Sequence, residues 1–81
     1  METRVGIIGI IVEDNSSIEL LNSLLHDYAD FIIGRTGIPY SKRKVNVISI
    51  VMDAPVDTIN ALCGKIGKLN GVSAKAVCQN I

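Results

Sequence analysis

The chain has 81 residues, of which 48% are apolar, and its eight basic and eight acidic side chains cancel. That length makes one domain, 1–81, which buries only about 60–65% of its unfolded surface. Neutral charge and three scattered rings, Tyr28, Phe31 and Tyr40, exclude the basic footprint and the stacking platform of a dedicated nucleic-acid module, so direct DNA or RNA binding is disfavoured.

TRVGIIGIIVE (3–13) reads as a first strand rich in β-branched residues. Both faces are apolar: Val5, Ile7 and Ile11 on one, Ile8, Ile10 and Val12 on the other. Gly6 and Gly9 predict a close backbone approach or a bulge there. The run is too short for a signal peptide or a membrane span, so a soluble, cytoplasmic protein without a membrane partner is expected.

A helix follows. Ser16 and Glu19 have the spacing of a capping box. Ile18, Leu21, Leu24, Leu25 and Tyr28 then recur at helical spacing, which predicts a helix to about Asp30. FIIGRTGIPY (31–40) is a second strand, weakened by Gly34, Gly37 and Pro39 and therefore placed on a sheet edge. Ser41 to Lys44 is a turn. VNVISIVMD (45–53) is a third strand, apolar on both faces and so central.

Ala54-Pro55 opens a second helix with the stripe Val56, Ile59, Leu62, Cys63, Ile66 and Leu69. Asn70-Gly71 ends it, glycine suiting a left-handed cap. Gly64 and Gly67 each weaken the helix by roughly 1 kcal/mol relative to alanine, and predict close packing against the sheet or a neighbouring helix. VSAKAVCQN (72–80) is the last strand, with Lys75 guarding an exposed edge.

The order βαββαβ predicts an α+β, ferredoxin-like fold: four antiparallel strands with two helices on one face. Strands one and three are central, and two and four are edges. Two helices cover one face only, yet both central strands are apolar on both. Each Ile, Val or Met left uncovered forgoes roughly 1.5–3 kcal/mol of burial. A homo-oligomer, dimer or tetramer, is therefore expected through the sheet face, the edge strand or both. A curled sheet covered by its own termini is the alternative.

The stretch R-T-G-I-P (35–39) and the run D-T-I-N-A-L-C-G-K-I-G-K-L-N-G-V (57–72) resemble the iron-only hydrogenase system regulators, over essentially the whole chain. The resemblance implies an ACT-like ferredoxin fold, similar to the C-terminal regulatory domain of nickel-responsive repressors. It carries over no catalytic or binding residue. The nickel-binding relatives use several His and a Cys at the metal, whereas His26 is the one imidazole here, and no metal or cofactor is expected.

ACT-type domains hold amino-acid effectors near the turn after the first strand, at a subunit interface. Here that turn is Glu13, Asp14, Asn15, Ser16 and Ser17. A helix N-terminus offers free amides, and the acids suit an ammonium group. Equally, Ser16 caps the helix and the acids complement its dipole. Arg35 is the second candidate, because its fork binds a carboxylate or phosphate bidentately. It interrupts the face of Phe31 and Ile33, and its flanking glycines let a ligand or backbone approach. A salt bridge to a partner subunit or simple solvation would also account for it. Lys42, Arg43 and Lys44 suit phosphate but read as a solvated turn. Cys63 reads as a small core residue. With Cys78 it falls short of the four soft ligands of an iron–sulfur site. His26 reads as exposed.

No Ser–His or Cys–His arrangement with an orienting acid is present, and the acidic turn after strand one is unlike the phosphate loop of ferredoxin-like acyl phosphatases. A non-catalytic regulatory module that binds a small-molecule effector or a protein partner is the expected function. It acts in trans, having no helix-turn-helix. The alternative is an oligomeric protein–protein interaction module, or a metal- or nucleic-acid-binding ferredoxin-like domain. RNA-binding sheets need aromatics on the central strands, and heavy-metal domains need CxxC.

Overall fold

β-Branched residues dominate the segments that become strands, and the amphipathic stripes become helices. The computed structural model describes residues 2–80, so the first and last residues of the expected 1–81 domain lie outside the described residues. Strand β1 spans Arg4–Val12, helix α1 Ile18–Asp27, strand β2 Ile32–Tyr40, strand β3 Val45–Ala54, helix α2 Val56–Gly67 and strand β4 Val72–Cys78. The strands form one sheet in the order β2-β3-β1-β4. Every pairing is antiparallel. This is the α+β ferredoxin-like arrangement, with the apolar strands inside and the weakened ones at the edges.

Register sorts the side chains. Ile8 lies opposite Ile50 and Ile10 opposite Ile48. These four face the helices and are buried, together with Val12, Met52 and Ala54. Leu21 and Leu25 of α1 and Ile59, Leu62 and Ile66 of α2 close over them. Partners across a ladder share a face. Val5, Ile7 and Ile11 of β1 therefore lie with Val47 and Val51 of β3 and Val77 of β4 on the opposite, open face.

Close approach occurs at one of the two glycines of β1. A Cβ on Gly6 would meet Ile59 Cδ1 at 2.8 Å, so α2 rests on bare backbone there. Gly9 has nothing within 4 Å and β1 carries no bulge; this glycine leaves a hollow in the open face instead. The bulge lies in β2. Ile32 pairs with Met52 but Gly34 pairs with Val51, so Ile33 is an extra residue.

Four local expectations differ from the structure. The capping box does not form: Asp14 accepts the Ser16 amide, and Ser17 occupies the α1 N-cap without a side-chain cap bond. Asp14 wins because a carboxylate two residues upstream closes a tight local turn. Helix α1 ends at Asp27, since Ala29–Phe31 tightens into a 3-10 turn that feeds β2. Helix α2 ends at Gly67, before Asn70-Gly71. Gly64 and Gly67 are exposed with nothing within 4 Å, because they fall on the outer side of α2 and not on its packed stripe.

Gly71 does adopt a left-handed φ of 67°, but its job lies at the turn into β4. Its carbonyl accepts the Glu13 amide at 2.7 Å, and an added Cβ would meet Asp14 Cβ at 2.6 Å and Asp14 N at 3.0 Å. The helices are tied where Lys65 Nζ donates to Tyr28 Oη at 2.9 Å and sits 5.2 Å from the ring centroid. Gly71→Ala should lower stability by about 1–3 kcal/mol, because it combines an unfavourable φ with a backbone clash. Gly64→Ala should raise it by about 0.8–1 kcal/mol. Urea unfolding of the two variants checks the contrast, and equal effects would contradict this reading.

Candidate functional site

The turn between β1 and α1 is built by short-range polar contacts. Asp14 Oδ1 accepts from the Ser16 amide at 2.9 Å and from the Ser16 hydroxyl at 2.7 Å. Asn15 Oδ1 accepts from Asn46 Nδ2 at 2.9 Å, which ties the turn to the start of β3. Ser17, buried at 3% exposure, donates its hydroxyl to the Asn70 carbonyl at 2.6 Å. The side chains of Asp14, Asn15, Ser16 and Ser17 thus engage the protein's own groups, and Glu13 stays exposed. Hydrogen bonds from the Ser16 hydroxyl and then its amide hold the Asp14 carboxyl below its ordinary 3.8.

Arg35 stands elsewhere. Without the extra residue Ile33, alternation would put Arg35 on the open face with Phe31 and Ile33, as expected from the sequence. The bulge instead places it opposite Ile50, on the helix side. Re-aiming a side chain is what a bulge does. Arg35 Nη2 donates to Asn22 Oδ1 on α1 at 3.3 Å. A groove of about 330 Å³ opens between α1 and β2, lined by Asn22, Leu25, His26, Ala29, Ile32 and Arg35. Asn22 and His26 are one helical turn apart and share a face.

The two sets of sequence candidates are therefore separate. On β3, Asn46 below the turn and Ile50 beside Arg35 are four residues apart, about 14 Å at a strand rise of about 3.4 Å. Asn22 and Asn46 were not signalled by the sequence, since an Asn on a helix or strand carries no spacing pattern of its own. His26 is exposed, as its place on helix one implied, and the groove gives it neighbours. Lys42, Arg43 and Lys44 form the exposed β2–β3 turn, with Lys44 at a φ of 57°.

The open face carries a second hollow, of about 370 Å³, over Gly9. Ile11, Val47, Ser49, Ser73 and Lys75 surround it. Cys63 and Cys78 are each half-buried against the core. Burial is the main cause that raises the Cys63 thiol above its ordinary range, which keeps it protonated. Among the described residues no three His, Cys, Asp or Glu side chains converge in a metal-binding group, and no helix is long and apolar enough to cross a membrane.

Asp14 yields a pH-dependent prediction. Its lowered folded-state pKa adds stability that is complete above its unfolded-state value. That stability is lost as pH falls through the folded-state value. The stability deficit of Asp14→Ala should be full at neutral pH and should shrink below about pH 4. Ser17→Ala should cost about 0.5–1.5 kcal/mol at every pH by removing the hydrogen bond to the Asn70 carbonyl. Urea unfolding from pH 2 to 7 distinguishes the two, and a pH-independent Asp14→Ala deficit would contradict the turn geometry.

Comparison with known proteins bears on this architecture. Among curated proteins none matches the chain. The uncharacterized protein TM1266 from Thermotoga maritima superposes at a TM-score of 0.92 with 34% identity, covering 98% of this chain and 100% of that one. CPII, a nitrogen regulatory PII-like protein from Thiomonas intermedia K12 bound to ADP, AMP and bicarbonate, aligns at a TM-score of 0.44 with 18% identity. That alignment covers 99% of this chain and 100% of that one, and is too loose to say what this chain binds. Residues 4–76 match the TM1266-like family, described as "Iron-only hydrogenase system regulator, putative". With almost every element from β1 to β4 inside that match, the chain belongs to the TM1266-like family of iron-only hydrogenase system regulators.

Proposed function

We infer that the protein is a small, non-catalytic regulatory module of the cytoplasm. It assembles with copies of itself and responds to a small-molecule effector, acting in trans on another component of an iron-only hydrogenase system. The observation that carries this reading is the open face of the sheet. Ile7 and Ile11 are each 45% exposed, Ile38 60% and Val77 71%, beside Val5 and Val47. Each forgoes about half or more of the roughly 1.5–3 kcal/mol that full burial brings. Contiguous apolar surface of this kind marks an interface.

A second copy of the chain suits that face. The hollow over Gly9 lies between the Ile7 and Ile11 ridges on β1. Two copies related by a two-fold axis can set ridge into hollow reciprocally. Such assembly leaves the helix side free for a ligand. Ligand contact is assigned to Arg35 and to the turn Glu13–Ser17. At the turn a ligand would displace the Asp14–Ser16 and Asn15–Asn46 bonds, whereas at Arg35 a groove is already open.

The placement of the reactive side chains supports a non-catalytic reading. The Ser16 and Ser17 hydroxyls are engaged by Asp14 and Asn70. The Cys63 thiol is held protonated, and His26 lines the Arg35 groove. Membership of a regulator family supports the same reading.

Native mass spectrometry at low micromolar concentration should show a dimer or tetramer. Ile7→Asp and Val47→Asp should each weaken association by about tenfold or more while keeping the circular dichroism of the fold. A wild-type chain that runs as an 8.7 kDa monomer under these conditions would overturn the reading.

A further inference from the structure

We propose that the groove between α1 and β2 binds a small organic acid, a monocarboxylate with a branched or short aliphatic body and no amino group. The proposal rests on the reading of the protein as an effector-responsive module, and it names the effector's chemistry and seat.

The groove joins polar and apolar parts in a fixed relation. Arg35 is its one permanent cation, and no carboxylate lines it. Among the described residues the one ion pair of the chain is Arg4 with Glu2, at 3.6 Å, so Arg35 has no acid of its own. Its side-chain bond runs from Nη2 to Asn22 Oδ1. That bond orients the guanidinium and leaves the rest of its donor fork to take a carboxylate. Asn22 accepts through Oδ1, so its Nδ2 remains a further donor. His26, one helical turn on, adds a ring nitrogen.

The charge balance selects the ligand. One guanidinium matches one carboxylate. A phosphate dianion would ask for a second cation or a cluster of backbone amides, as at a helix N-terminus. This groove instead includes Ala29, two residues past the last residue of α1, where the helix dipole opposes negative charge and so opposes a dianion about twice as strongly as a monocarboxylate. An amino acid would bring an ammonium group into a groove whose lining has no acid to receive it. Leu25, Ala29 and Ile32 form the apolar wall on which an aliphatic body would lie. A volume of about 330 Å³ is near the lower bound of ligand sites, which suits a small metabolite.

The β2 bulge is the structural reason the site exists. It turns Arg35 from the open face to the helix side. Gly37, opposite Ile48, shares the helix side with Arg35, and nothing lies within 4 Å of a Cβ built on it, so the strand does not crowd Arg35 from that direction.

The test is titration of the isotope-labelled full chain, followed by amide chemical shifts, with 4-methylpentanoate, L-leucine and inorganic phosphate as separate probes. The first two probes differ only by the α-amino group. The expected result is saturable shifts around Asn22, His26 and Arg35 with 4-methylpentanoate, with both other probes weaker by about tenfold or more. Arg35→Ala should weaken that binding by about tenfold to a hundredfold, and Asn22→Ala by a few-fold. Arg35→Lys should recover only part, since an ammonium lacks the fork. Native mass spectra of the same samples report folding and assembly. Four outcomes would each overturn the proposal: no saturable shift with 4-methylpentanoate up to about 10 mM, the affinity of roughly one charge-assisted bond without help from the apolar wall; equal binding of L-leucine or phosphate; shifts centred on the Glu13–Ser17 turn; or binding unchanged in Arg35→Ala. An intact oligomer with no carboxylate binding would sink this proposal alone, whereas a monomer that binds 4-methylpentanoate would sink the assembly reading and leave the groove standing.

Discussion

Strands β1 and β3 are apolar on both faces, and two helices can seal only one of them. Ile8, Ile10 and Val12 interlock with Ile48, Ile50 and Met52 beneath the helices, and all are buried. Antiparallel register sends Val5, Ile7 and Ile11 with Val47 and Val51 the other way. Because the side-chain period is two, a slip of one residue would exchange the sets. The buried set is bounded by α2, which reaches the sheet where Gly6 has no Cβ and Ile59 occupies the space. The same constraint that makes a dry core on one side leaves an unsealed surface on the other, and self-assembly is the physical answer offered for it.

The bulge in β2 alters that division at one edge. It adds Ile33 to the strand and so swaps the faces of every residue after it. Ile38 and Tyr40 join the open face opposite Val47 and Val45, and Arg35 leaves it. One extra residue therefore enlarges the apolar face and furnishes the groove beside α1 with its cation. Assembly and ligand binding, as proposed, use opposite sides of the same edge strand. A ligand that pulls Arg35 toward α1 would load β2, and β2 contributes no fully buried residue to hold it rigid.

Polar residues at the other end of α1 act as a joint. Asp14, Asn15 and Ser17 each reach a different segment: the 3-10 turn that leads into α1, the start of β3 and the α2–β4 turn. Gly71 lets the last of these approach Asp14 at backbone distance. The sequence marked this turn for its acids and its helix start. The structure assigns those groups to one another, which makes the turn a fastening for three elements, and the ligand seat proposed above lies instead at the open groove beside Arg35.

Much of the fold was legible because it is carried by local periodicity. The alternation in 4–12 and 45–54 and the stripes Leu21-Leu25 and Ile59-Leu62-Ile66 each need only one segment to be read, and together they determine βαββαβ, the central and edge strands, and the two-faced apolarity of β1 and β3. What one segment cannot show is a contact between segments. Asp14 displaced the Ser16–Glu19 box by a bond two residues long, and Ser17 found its partner 53 residues away at Asn70. Gly6 and Gly9 look alike in sequence, yet only Gly6 lies under Ile59. Arg35 is the sharpest case. Its identity and its flanking glycines marked it from the sequence alone, but a bulge is a property of how β2 pairs with β3. The side of the sheet on which Arg35 stands, and so its meeting with Asn22 and His26, was decided only when the two strands came together.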